Sequence, residues 1–499
     1  MSQHILLYTD NPPEGGVQQY NHSILCGLVS AGYRVTSVQV KQFNLLVRQQ
    51  KELGIEQFWL KFNLTTDFAR VLKDIQQPKH IFSTSKPDLI IFSDGWPLAS
   101  FAAKQAAIDL GIPYITVLGV VEPFPRDFAF GDGVPYIDVM SYHYTQAKAV
   151  IAVSQNNLNI LHEIFKFPAE TGRVIHYGRP PQYFETPVLS VRQKLRQEWK
   201  IPLDAVVCFT AARLSKIKGY EYQIEAIKLL KSSSIWEKIY FVWAGTGEGD
   251  YYNCESELKA SVEELGVTEH VKFLGRRWDI PDLLGASDIF ILPSKVEGMP
   301  LSIMEAMAKG LIVIASAVSG IPEELGNTGK LLPDPNVDPK ATATELADTL
   351  QAWVLNKETL LEMGRTSQER AKKMFTEERM VREYLEVIKN ALLSEYESKH
   401  IASFRQNLPQ QIQELENRVY YSSLVWDAWY SYRNGNNIKM GLYLEESLKY
   451  APFFPTETLV NWLDSFANFF RYKGEIFETE SLTNLPEWKR MLNRICLGI

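Results

Sequence analysis

The sequence predicts an α/β protein: two doubly wound parallel-sheet domains followed by an α-helical C-terminal extension. Three observations predict it. Short apolar runs alternate with helical patterns from residue 5 to about 177. The alternation restarts at Val206 and continues to Leu332. Beyond about residue 400 only helical periodicity remains. Continuous apolar runs suit strands buried on both faces, and strand–helix alternation implies parallel crossovers. The expected domains are 1–180, 181–395 and 396–499, each long enough to bury a core.

Composition narrows the function classes. The chain has 499 residues, 45% hydrophobic and 22% charged, with a net charge of −7. A nucleic-acid binder would show a basic balance, so no nucleic-acid partner is expected. Cys26, Cys208, Cys254 and Cys496 lie far apart with no C-x-x-C spacing, which indicates neither a zinc site nor a disulfide framework. The N-terminus lacks the charged and apolar regions of a signal peptide, and no apolar run reaches membrane-spanning length. A cytoplasmic protein, able to touch the inner face of a membrane, is the expectation.

The first domain opens with the strand Ile5–Thr9, a turn containing Gly15 and Gly16, and a helical pattern over Val17–Ala31 ended by Gly32. A glycine pair beyond the first strand lets a ligand approach the backbone, although alone it reads more readily as a tight turn. Tyr33–Val40 is the next strand. Residues 41–80 mix large apolar with basic residues, and a packed or lid helix fits them better than a membrane-surface helix. Strands follow at Leu89–Ser93, Tyr114–Leu118, Ala149–Val153 and Arg173–Tyr177, separated by helical patterns at Leu98–Leu110, Tyr136–Ala147 and Gln155–Phe165.

Residues 180–201 read as a linker with a polar helix. Val206–Ala211 then runs into A-R-L-S-K-I-K-G, which puts Arg213 and Lys218 beyond a strand's C-terminal end, where open α/β sheets bind ligands. An arginine forks two phosphate oxygens and a lysine acts as a point charge. Ile239–Ala244 leads to G-T-G-E-G, a poor dinucleotide fingerprint but a turn at Gly245 that admits a nucleotide. Val271–Leu274 precedes the turn Gly275–Arg277.

The most informative stretch is D-I-F-I-L-P-S-K-V-E-G-M-P-L-S-I-M-E-A-M-A-K-G, Asp288 to Gly310. It reads as strand, loop and helix, with Pro300 in the first helical turn and Gly310 at the stop. Amides of Met299, Leu301 and Ser302, with the helix dipole, would form an anion site after Gly298. Glu297 at the lip and Glu305 inside the helix are separated by seven residues. A carboxylate suits the adjacent hydroxyls of a ribose, so the loop could hold a diphosphate and Glu305 a ribose.

This stretch resembles the E-x7-E signature of retaining, family-4 type glycosyltransferases with the GT-B fold, two Rossmann-like domains facing a cleft. The resemblance implies that Glu305 binds the ribose of a nucleotide-sugar donor and Glu297 the sugar. It implies that Arg213 and Lys218, matching an R-x4-K-G element, grip the diphosphate. Gly15 and Gly16 would lie by the phosphates and sugar, and Arg277 by the nucleobase. The family often has a histidine after the strand I-P-Y-I-T-V; here Leu118-Gly119 stands there, with His143, His176 and His22 as candidate substitutes. V-I-H-Y-G likewise replaces the usual N-G turn.

The implied activity is metal-independent, cofactor-free, retaining transfer from a nucleoside-diphosphate sugar, UDP-sugar first, to a glycan or lipid-linked acceptor. A nucleotide-sugar epimerase of the same fold and a non-catalytic sugar-nucleotide-binding subunit are the alternatives; a dehydrogenase would need a better fingerprint. Beyond residue 400, helices are expected at Gln411–Tyr432, Ile438–Tyr450 and Glu457–Tyr472. Trp426–Pro452 resembles one tetratricopeptide unit, which must pack on the sheet domains or on a protein partner. Its aromatic stripe, Trp426, Trp429, Tyr430 and Tyr443, reads as core.

Overall fold

The computed structural model describes residues 2–11, 15–42, 44–62, 67–121, 136–248, 252–393, 410–472 and 475–497. Gly249 of G-T-G-E-G and the expected 395/396 boundary lie outside them. The chain forms two compact units: residues 1–151, 160–173 and 387–499, and residues 152–159 and 174–386.

The first sheet holds β1 (His4–Tyr8), β2 (Arg34–Val40), β3 (Glu56–Leu60), β4 (Leu89–Asp94), β5 (Tyr114–Leu118), β6 (Ala149–Ala152) and β7 (Gly172–Val174), in the order β3-β2-β1-β4-β5-β6-β7. Residues of β1 and β4 are buried throughout, as their apolar runs require. Residues 41–80 hold a packed helix, one of the two expected forms, but also an edge strand and two further helices that were not expected. The helix Leu45–Glu52, capped by the Asn44 side chain on the Val47 amide, gives way to the edge strand β3, which pairs Phe58 with Val38. Helices Phe68–Lys73 and Gln76–Ser85 follow. An edge strand needs only one buried flank, so E-Q-F-W-L lacks the continuous apolar run that marks the inner strands.

The second sheet holds β8 (Val206–Ala211), β9 (Ile239–Ala244), β10 (Val271–Gly275), β11 (Ile289–Leu292), β12 (Ile312–Ser316) and β13 (Lys330–Leu332), ordered β10-β9-β8-β11-β12-β13. Each pair of neighbouring strands in it is parallel. Both sheets reverse direction beside their first strand, and the crevice beyond the strand ends at such a reversal is where α/β sheets bind ligands. In the second sheet that point lies between β8 and β11. Trp243, Ile289, Ile291, Ile312 and Ile314 form its fully buried floor.

The extension belongs to the first unit. Its helices are Gln410–Arg433, Asn437–Ser447, Pro455–Tyr472, Thr479–Thr483 and Pro486–Leu497, the last two unanticipated from the sequence. The first two pack on helix Phe68–Lys73. Asp427, buried, accepts the Phe68 and Ala69 amides at 3.1 and 2.7 Å. Lys439 Nζ and the Tyr443 hydroxyl reach Asp67 at 2.9 and 3.0 Å. Lys73 lies over the Tyr420 and Tyr450 rings. Trp429 is fully buried, as expected of a core stripe. No helix among the described residues is long and apolar enough to cross a membrane.

Candidate active site

Four loops meet at the reversal point of the second sheet. The loop after β8 ends at Gly219, whose φ of 71° belongs to the left-handed region. A Cβ there would sit 1.9 Å from the Pro293 carbonyl oxygen, so only glycine lets this loop lie against the loop after β11. The Lys295 amide donates to the Ile217 carbonyl across the same seam at 2.9 Å. On the other side, the Gly320 amide donates to the Gly298 carbonyl at 3.0 Å and the Glu297 amide to Ser319 Oγ at 3.3 Å. Ser316 Oγ donates to the Ser294 carbonyl. The loop after β9 runs beside that of β8: Leu214 N donates to Thr246 O, and a Cβ on Gly245 would sit 1.9 Å from Ala212 O.

This stitching sets the charged groups. Lys218 Nζ lies 2.6 Å from Glu297 Oε1, and Ser294 Oγ donates to the same oxygen at 2.7 Å. Glu297 is buried, so its carboxylate is held in one orientation by a cation and a hydroxyl. Helix Leu301–Ala308 begins directly behind it, and Lys309 and Gly310, with φ 81°, close it. Pro300 sits one place earlier than expected, as the capping residue with ψ 119°, and its carbonyl accepts from Ile303 N. Its fixed φ serves either position.

Glu305 faces inward from this helix. Its Oε1 meets an Arg179 guanidinium nitrogen at 2.5 Å, and both residues are buried. Burial pushes the Glu305 carboxyl up, while Arg179 and the Tyr183 hydroxyl pull it back. Arg179 also lies over the Tyr183 ring at 4.6 Å. At the helix end, Lys309 Nζ donates to the carbonyls of Gln182 and Glu185 at 2.8 and 2.9 Å. Residues 179–185 therefore grip this helix at its middle and at its C-terminal end. Sequence reasoning stopped at V-I-H-Y-G and missed the arginine that follows; it also missed Tyr183 and Ser294, each of which acts on a glutamate distant in the chain or unmarked by spacing.

The structure gathers Arg213, Lys218, Gly245, Glu297, Gly298, Met299, Pro300, Leu301 and Glu305 on neighbouring loops or the helix they lead into. Arg213 is exposed, whereas Gly298, Met299 and Pro300 are buried. Arg277 follows β10, and its guanidinium is engaged by Asp279 at 2.8 and 2.5 Å and by Glu198 at 3.3 Å. Gly15 and Gly16 lie in the first unit, exposed at the start of helix Gly16–Ser30, with Gly15 at φ 104°. Of the candidate histidines, His143 is core, edge-on to Phe101, and His22 lies beside Cys26. His176 pairs with Glu323 at 2.7 Å in the second unit.

Comparison with solved structures decides the architecture. A glycosyltransferase from Rickettsia africae aligns over 79% of this chain and all of its own, with a TM-score of 0.65 at 20% identity. HepE from Anabaena, solved with UDP and glucose, aligns over 78% of this chain and all of its own, with a TM-score of 0.62 at 20% identity. The chain has the GT-B fold. Residues 191–370 match the family model described as glycosyl transferases group 1, and residues 14–183 match glycosyltransferase family 4. The amylovoran biosynthesis glycosyltransferase AmsK of Erwinia amylovora is 34% identical over 177 residues, 34% of this chain. The matched part spans 39% of that relative. Together these matches support a glycosyltransferase with the GT-B fold.

Proposed function

We propose that the chain is a retaining glycosyltransferase that moves a sugar from a nucleoside-diphosphate sugar, with UDP-sugar as the first candidate, to a glycan or lipid-linked acceptor. The observation that carries this reading is the Lys218–Glu297 pair held beside the start of helix Leu301–Ala308 by four stitched loops. In this reading Lys218, Arg213 on the same loop and the positive end of a helix oppose the charge that a departing diphosphate develops. A cation about 4 Å from one phosphate charge gains roughly 4 kcal/mol at an effective dielectric of about 20. The reading therefore calls on no metal for leaving-group departure.

In this reading the anomeric carbon–phosphate oxygen bond breaks as the acceptor oxygen bonds to the same face of the sugar. The acceptor's proton passes to the leaving phosphate. Glu297 orients the donor sugar, and Glu305 shares its carboxylate between Arg179 and the ribose. The UDP in HepE supports uridine as the first base to test, and the name of AmsK supports a polysaccharide-type acceptor. The exposed Leu45 and Leu53 mark the side of the first unit to test for contact with a lipid-linked acceptor's membrane. The tetratricopeptide-like helix pair serves as support for the first unit.

The test is thermal melting with UDP, GDP and ADP. A nucleotide at 100 times its dissociation constant stabilises by about 2.7 kcal/mol. One nucleotide is expected to raise the midpoint; no shift with any of the three would overturn the donor-site assignment.

A further inference from the structure

Directly behind Glu297 lies an acid that the reading above does not use. Glu324 sits on the short helix Ile321–Leu325, fully buried. Neither of its carboxylate oxygens has a hydrogen-bond partner among the described residues. Groups from four elements surround it. Glu297, on the loop after β11, opposes a negative charge at Glu324. The Met304 amide of helix Leu301–Ala308 offers support that falls short of a hydrogen bond. Arg370, on helix Lys357–Met374, spends its Nε and one terminal nitrogen on the backbone carbonyls of Glu324 and Glu323, at 2.8 and 2.7 Å. Glu323, the neighbour on the same helix, is committed to His176 and the Gln155 amide, both at 2.7 Å.

An ionised carboxylate in that setting would be a dry charge with no full hydrogen bond, beside a second acid already matched by Lys218. Such a charge is costly, and a protein avoids the cost by keeping the proton. Burial, then Glu297, push the Glu324 carboxyl far above the usual range. The position is linked to the ligand loops by the Gly320–Gly298 hydrogen bond, one turn before Glu324.

We propose that Glu324 is a positioning residue of the donor site: a neutral acid that backs Glu297 and the start of helix Leu301–Ala308, keeping the ground under a bound diphosphate free of a third negative charge. The proposal rests on the donor-site reading. Its consequence is proton linkage. Diphosphate binding favours the protonated acid, and loss of that proton as pH rises weakens nucleotide binding.

The experiment compares wild type with Glu324→Gln and with the apolar Glu324→Leu, which keeps the protein foldable if a buried amide does not. Two readings are taken between pH 7 and 9.5: the melting midpoint without ligand, and UDP affinity by calorimetry. A raised carboxyl pKa gives stability that is full below the unfolded value and lost as pH rises through the folded one. Wild type should therefore lose midpoint with rising pH more steeply than either variant. UDP affinity should fall with rising pH about tenfold more in wild type than in the variants, the order of effect expected of one uncompensated charge near the diphosphate. Parallel midpoint slopes in all three proteins would overturn the neutral acid. Different slopes with identical UDP profiles would overturn the link to the donor site. If wild type binds no UDP, GDP or ADP at any pH, the donor-site reading itself fails and the positioning role falls with it; the midpoint slopes still separate that failure from the first.

Discussion

Arg179 changes what a substitution at Glu305 can report. Removing the carboxylate leaves a buried guanidinium without its counter-charge, and breaking such a pair costs about 3–5 kcal/mol. Glu305→Ala should therefore lower the urea midpoint even without nucleotide, so lost binding in that variant would have two causes. Glu305→Gln loses the charge too but keeps an acceptor for Arg179, so it should lose less stability than Glu305→Ala while still weakening UDP in calorimetry. If both variants bind UDP as wild type does, the ribose role is wrong. Lys218 is different, because Glu297 retains Ser294 when the ammonium is removed. Lys218→Ala should lower kcat by about 10²–10³, the usual loss for one group that stabilises developing charge, with a smaller loss of melting midpoint than Glu305→Ala because Ser294 still holds Glu297. A steady-state assay that finds kcat intact would remove Lys218 from the leaving-group role.

At the scale of elements, the extension's hold on helix Phe68–Lys73 is a titrating contact. Burial, opposed by the Ala69 and Phe68 amides, pushes the Asp427 carboxyl up to about 7. An unfolded aspartate titrates near 3.9, so the folded chain keeps a proton that the unfolded chain releases between those values. Stability should fall as pH rises from about 4 to 7 and level off above, by at most about 4 kcal/mol for a gap of roughly three units. Asp427→Asn should flatten that slope in denaturant melts at pH 5 and 8; an unchanged slope would place the proton elsewhere. The elements differ in how readily they were read. Ile289–Leu292 announced itself because a strand buried on both faces must be apolar at every position. The edge strand Glu56–Leu60 did not, because water takes part of the burden that apolar residues carry inside. The spacing of Glu297 and Glu305 was visible since both lie within one strand–loop–helix unit. Their partners Arg179 and Tyr183 were not, because chain distance hides who meets whom, and Glu324 gave no signal beyond a glutamate in a helix's first turn.

For the molecule as a whole, the chain's two ends of sequence share one core. Without residues 394–499, Phe68, Ala69, Val71 and Leu72 would lose the cover that the extension gives their helix. A chain ending at Leu393 should melt roughly 10 °C or more below the full chain, from several large apolar side chains at about 1.5–3 kcal/mol each. It should still answer to UDP, since Arg179, Lys218, Glu297 and Glu305 all lie within residues 174–386. Scanning calorimetry with and without UDP separates the two effects; loss of the UDP shift would mean that the extension also supports the nucleotide loops.

The grip of residues 179–185 on helix Leu301–Ala308 also bears on recombination. Swapping halves between glycosyltransferases is a natural route to new donor–acceptor pairs, and the polar stretch near residue 181 looks like the place to splice. A crossover there would separate Glu305 from Arg179 and leave the guest half with a foreign residue against its buried acid. Moving the seam upstream of Val174 transplants the arginine, Tyr183 and the two carbonyls that hold Lys309 as one inherited piece.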